Sequence, residues 1–108
     1  MRRIEVFLGQ LKAEGKSAAA FGASLRGNAL LSFCGVRRDT IAFVADLSPR
    51  KHGLALPGTG IPIVPPQRIQ ETRPDFIFVL PGWSVQELVR QHHYVSSWGG
   101  RFGRLDIT

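Results

Sequence analysis

The chain has 108 residues and a mass of 11.9 kDa, with 14 Lys+Arg against 8 Asp+Glu and a formal charge of +6 at pH 7. That length supports one domain over residues 1–108 that hides roughly two thirds of its unfolded surface, and 44% hydrophobic with 20% charged residues is a globular composition that excludes a disordered chain. Cys34 stands alone, which excludes an intramolecular disulfide and a multi-cysteine zinc site, and no run of about 18 apolar residues offers a membrane-spanning helix.

Near the N-terminus Ile4, Phe7, Leu8 and Leu11 recur at i, i+3, i+4 and i+7, the apolar stripe of a helix, and Gly15 is placed to cap it in the left-handed conformation. Ser17 to Ala23 reads as a buried strand of small residues, over which helices can pack closely. A helix from about Arg26 to Cys34 then offers Ala29, Leu30, Phe33 and Cys34 on one face, and Gly35 stops it. Ile41 to Asp46 is a second apolar strand ending in a carboxylate. The Gly/Pro-rich stretch from Ser48 to Gly60 carries no periodicity and is a long loop, ordered or flexible. Ile61 to Val64 is a short strand, and Pro65-Pro66 opens a helix through about Glu71. Asp75 to Leu80 is apolar after its first residue, the pattern of a parallel strand covered on both faces. Ser84 with Glu87 three residues later forms a capping box for a helix whose buried stripe is Val85, Leu88, Val89, Val95 and Trp98. Gly99-Gly100 breaks that helix, and Arg101 to Ile107 closes the chain as a last strand.

This alternation predicts an α/β fold: a Rossmann-like three-layer sandwich on a five-stranded, mostly parallel sheet. Pro62 has no N–H for a ladder, so its strand belongs at an edge. In the last strand Arg104 and Asp106 share a half-solvated face, which makes that strand an edge too. Order 3-2-1-4-5 satisfies both demands, whereas a flavodoxin-like order would bury the Pro62 strand.

Ligands of such sheets bind beyond the carboxyl ends of the strands, where strand order reverses. Three segments meet there: Gly22 to Asn28, Asp46 to His52, and Pro81 to Ser84. The first is a strand-to-helix turn whose N–H groups can accept an anion, with Arg26 beside them to suit phosphate. Its spacing approaches a Walker loop, but Asn28-Ala29 stands where Lys-Ser/Thr is needed. Ser24 occupies the place of the second glycine of a dinucleotide fingerprint, which weakens a module for NAD(P) or S-adenosylmethionine, the alternative reading. Asp46 follows Gly22 by 24 residues, where Rossmann folds hold a ribose hydroxyl; its other roles are an N-cap or a salt bridge with Arg50 or Lys51. Trp83 either stacks on a base or sugar or is partly buried core.

His92 and His93 are helix neighbours about 100° apart and cannot chelate one metal together, and Cys34 reads as inert packing. Eleven of the cations are arginines, but they are scattered from Arg2 to Arg104 without an aromatic RNA-binding motif or a finger, which argues against a nucleic-acid partner. Met1-Arg2-Arg3 is followed by Glu5, Gln10 and Lys12, so the start does not read as a secretory signal, and a cytoplasmic protein is expected. No catalytic residue set can be assembled, and the residues alone stop at a small-molecule-binding module.

The ordered set Gly22-Ala23, Gly27-Asn28, Leu30-Leu31, Cys34-Gly35, Asp46, Pro49, Lys51, Gly53, Pro57-Gly58, Ile61-Pro62-Ile63, Pro74-Asp75, Trp83, Glu87 and Gly99-Gly100 resembles the C-terminal domain of the S-adenosylmethionine-dependent sugar C-methyltransferases over nearly the whole chain. In that family a zinc-binding domain and an S-adenosylmethionine-binding domain precede this one, and the C-terminal domain helps to hold a nucleotide-sugar. The resemblance therefore implies that Ser24, Arg26, Gly27, Asn28, Asp46, Pro49, Lys51 and Trp83 face a nucleotide-sugar of deoxysugar biosynthesis. It also implies that zinc and S-adenosylmethionine belong to other domains, and that a methyltransferase core domain or chain is a partner. Arg26 stands for the family's usual Lys and Ser84 for its usual Asn, a change that removes an amide from the Trp turn.

Overall fold

The computed structural model describes residues 2–104, with side chains described from Val6 onward. The extension of the last strand to Ile107, its Arg104/Asp106 face, and the Ile4 position of the first stripe fall outside the described residues and side chains. Among the described residues four α-helices and two 3₁₀ segments accompany a five-stranded, all-parallel sheet of order 3-2-1-4-5.

Helix α1 (Arg2–Ala13) buries Leu8 and Leu11 and half-buries Phe7. It ends as its glycine predicts: Gly15 has φ +73°, and the amides of Gly15 and Lys16 donate back to Lys12 and Leu11, the paired bonds of a Schellman cap. Strand β1 (Ala18–Phe21) lies at the centre, and all four of its residues are buried. Ala18 and Ala20 face one helical layer and Ala19 and Phe21 the other, so both faces of the central strand are core. Its partners are β2 (Val44–Ala45) and β4 (Phe76–Val79), with Ala20 opposite both Val44 and Phe78. Backbone bonds from Ala42, Val44 and Asp46 carry the β2 pairing over most of the expected 41–46 segment.

Helix α2 (Leu25–Phe33) differs in phase from the expected face. Gly27, Leu30, Leu31 and Cys34 are buried, whereas Ala29 is exposed and Phe33 is 69% exposed. The first turn sets this rotation. Gly27 lies so close to β4 that an added Cβ would sit 2.9 Å from Leu80 Cβ, and the positions i+3, i+4 and i+7 from Gly27 then face inward.

The stretch from Ser48 to Gly60 is ordered. A 3₁₀ turn at Pro49–Lys51 leads into residues 53–56, which run antiparallel beside 61–63. Gly53 donates to Ile63, Ile63 to Leu54, and Leu56 to Ile61. This segment covers the outer side of β3 (Ile63–Val64), the edge strand preceded by Pro62, as the missing N–H predicts.

Helix α3 (Gln67–Thr72) buries Ile69, and α4 (Val85–Gln91) buries Leu88. The single long stripe expected after Ser84 is in fact two segments. His92 leaves the helical region (φ −122°, ψ 45°), and a 3₁₀ helix His93–Trp98 follows, with Val95 buried and Trp98 half-buried three residues on, as three residues per turn requires. Val89, counted in the stripe, is 46% exposed. Strand β5 (Arg101–Arg104) completes the sheet beside β4, with Val79 opposite Arg104.

Candidate functional site

The carboxyl ends of β1, β2 and β4 open onto a hollow of about 570 Å³ lined by Ala23, Ser24, Asp46, Leu47, Ser48, Lys51, Pro81, Gly82 and Trp83. It lies where strand order reverses between β1 and β4, so the three segments singled out from the sequence converge there.

Each side of the hollow is fixed by polar bonds with local causes. Ser24 caps α2: its Oγ accepts from the Gly27 N–H at 3.0 Å and donates to the Pro81 carbonyl at 3.3 Å, tying the first turn to the third. The Asp46 carboxylate, 4% exposed, accepts from the Ala23 N–H at 2.7 Å and from the Ser48 N–H at 2.8 Å. The bond to Ser48, two residues on, closes an Asx turn ahead of the 3₁₀ segment, whose N-cap position is Ser48. Lys51 Nζ donates to the Ala23 carbonyl at 2.8 Å, so the second segment grips Ala23 through both its amide and its carbonyl. His52 Nε2 lies 2.6 Å from the Asp46 carbonyl oxygen, which can only accept, so Nε2 carries the proton.

Lys51 keeps donors to spare beyond the one Ala23 takes, and Asp46 keeps lone pairs beyond the two amides. A neutral polar ligand could be recognised from both sides. Trp83 forms the third wall; its half-buried indole stands edge-on to Phe21 with centroids 5.2 Å apart. It is at once core packing and cavity wall.

Four of the eight sequence candidates therefore line one hollow: Ser24, Asp46, Lys51 and Trp83. Arg26, Gly27, Asn28 and Pro49 are not in its lining. Arg26 is exposed on α2, Pro49 is exposed at the start of the 3₁₀ turn, and Gly27 is spent on the contact with Leu80. The Asn28 side-chain oxygen is buried and accepts no hydrogen bond among the described residues. In the turn itself the amides of Gly22, Ala23, Ser24, Gly27 and Asn28 are engaged within the protein, which leaves those of Leu25 and Arg26 for an anion.

The groove continues past Trp83 into a second hollow of about 610 Å³, lined by Trp83, Ser84, Val85, Gln86 and Arg104. Arg104 was not among the sequence candidates; the signal was its place at the carboxyl end of a strand next to β4. Beneath this wall, His92 packs on Phe21 (centroids 5.6 Å) and its Nδ1 lies 2.7 Å from the Tyr94 hydroxyl. Burial lowers the His92 pKa below its ordinary value and raises that of Tyr94. A further hollow of about 560 Å³ opens at the amino ends of the strands, lined by Ser17, Leu54, Pro62, Arg68 and Thr72 among others. Its one arginine, Arg68, is 3.2 Å from Glu71, and no set of polar groups converges in it.

Among the described residues no group of three or more His, Cys, Asp or Glu side chains could hold a metal ion. No described helix is long and apolar enough to cross a membrane.

The chain is 36% identical over 90 residues, 83% of its length, to the C-methyltransferase NovU of Streptomyces niveus. The match covers 21% of that relative, so the chain spans about one fifth of its length. Residues 2–104 match the family described as the C-methyltransferase C-terminal domain, and the chain belongs to that family.

Proposed function

We propose that this domain holds a nucleotide-sugar for an S-adenosylmethionine-dependent C-methyltransferase, while methyl transfer itself is carried by another domain or chain. The observation that carries the reading is the convergence of Ser24, Asp46, Lys51 and Trp83 on one hollow, in a chain of the C-methyltransferase C-terminal family. Its chemistry suits a glycosyl group: a carboxylate and an ammonium for hydroxyls, an indole for an apolar sugar face or a base, and fixed walls that need no ordering on binding.

Isothermal titration with dTDP-sugars tests the reading. Saturable heat at submillimolar ligand is the expected result, and none at millimolar ligand would remove the substrate assignment. A thermal-shift response to NADPH or S-adenosylmethionine with none to nucleotide-sugars would replace it by a cofactor-binding module.

A further inference from the structure

Resting on the nucleotide-sugar reading, we propose that Trp83 divides the groove into two halves of different chemistry, and that Arg104 in the second half receives the phosphate end of the ligand.

The two hollows share only Trp83. In the first, Asp46 and Lys51 bring opposite charges, and both are already bonded to Ala23. That half has no net charge to offer a dianion, and its buried carboxylate repels one. Among the described residues the second half contains a single ionisable lining residue, Arg104, with the neutral Ser84 and Gln86 beside it. Among the described residues Arg104 forms no ion pair. Glu87, an acid of the adjoining helix, is taken up by Arg90, whose Nη2 lies 2.6 Å from both of its carboxylate oxygens.

A guanidinium is a planar fork of donors that matches phosphate oxygens in pairs, so an arginine lining this groove is suited to that group. Its position is set by the sheet. Arg104 stands opposite Val79, and β4 runs on through Leu80 and Pro81 into the turn that carries Trp83. The diphosphate then lies on the β5 side of the indole and the sugar on the Asp46–Lys51 side. This assigns to Arg104 the phosphate contact expected of Arg26, which lies outside both hollows.

The test is titration of the full chain with dTDP-glucose, comparing the wild type with Arg104→Ala, Arg104→Lys and Arg26→Ala. Arg104 is exposed, and matching circular dichroism melts would show that the variants remain folded. Arg104→Ala is expected to weaken binding at least about tenfold and to flatten its salt dependence, which loss of one charged phosphate contact produces and a structural defect does not. Arg104→Lys should recover part of the affinity, and Arg26→Ala should change it less than about twofold. Wild-type affinity in Arg104→Ala, or the larger loss in Arg26→Ala, would overturn the inference and leave the nucleotide-sugar reading standing. No binding by the wild type at millimolar ligand would overturn both.

Discussion

Gly22 lies against the indole of Trp83 with no space for a side chain between them: a Cβ built on Gly22 would overlap Cδ1 and Nε1 of the ring. Gly22 also holds φ at +95°, so backbone and packing both demand glycine at the end of the central strand. The wall of the candidate site is thereby seated directly on β1.

Replacing Gly22 by alanine adds about 1–2 kcal/mol of backbone strain to about 1–3 kcal/mol of overpacking. Gly35→Ala is the control, since φ is +71° there but nothing lies within 4 Å of the added atom. Urea denaturation should show the larger loss for Gly22→Ala. A Trp83→Leu background should recover part of that loss and none of the loss at Gly35.

Asp46→Asn keeps the shape but turns one acceptor into a donor facing an amide. Ala23 or Ser48 then loses its partner, at a cost of about 1–3 kcal/mol. Hydrogen exchange at these two amides should accelerate, while exchange at Ile77 in β4 follows global stability only.

Stability should depend on His92 through pH. Burial lowers its folded pKa below the ordinary 6.5, so the unfolded chain binds the proton more tightly. The contribution of the neutral ring is complete above pH 6.5 and is lost as pH falls from there towards the folded value. Its neighbours across the contact are Phe21 of β1 and the Tyr94 hydroxyl, a phenol that burial keeps protonated throughout this range. Thermal melts from pH 7.5 to 5 should show a decline that is smaller in His92→Phe.

Helix α2 offers a contrast between adjacent apolar residues. Leu31 is fully buried, and Leu31→Ala should cost about 2–5 kcal/mol. Phe33 is exposed, so Phe33→Ala should change the unfolding midpoint little, within about 0.5 kcal/mol.

The strand order was legible because two edge signals were local: the missing N–H of Pro62 and the half-polar last strand. The phase of α2 was not, because it depends on how closely Gly27 meets Leu80, a contact between residues 53 positions apart. The division after Gln91 was hidden for a similar reason: Val95 and Trp98 fit both a continuous helix and a 3₁₀ segment, and only the backbone at His92 separates the two. Of the site, the residues at the ends of strands were readable from topology. Arg26 and Arg104 were indistinguishable as arginines until the rim of the sheet showed which one faces the groove.

The segment from Gly53 to Leu56 fastened along Pro62 and Ile63 has an effect on association. With that flank occupied, a neighbouring polypeptide finds no ladder to extend beside β3. Among the described residues the opposite flank, β5, carries no such cover, and a chain approaching it meets the like-charged Arg101 and Arg104, which favours acidic sequences over another copy of this one.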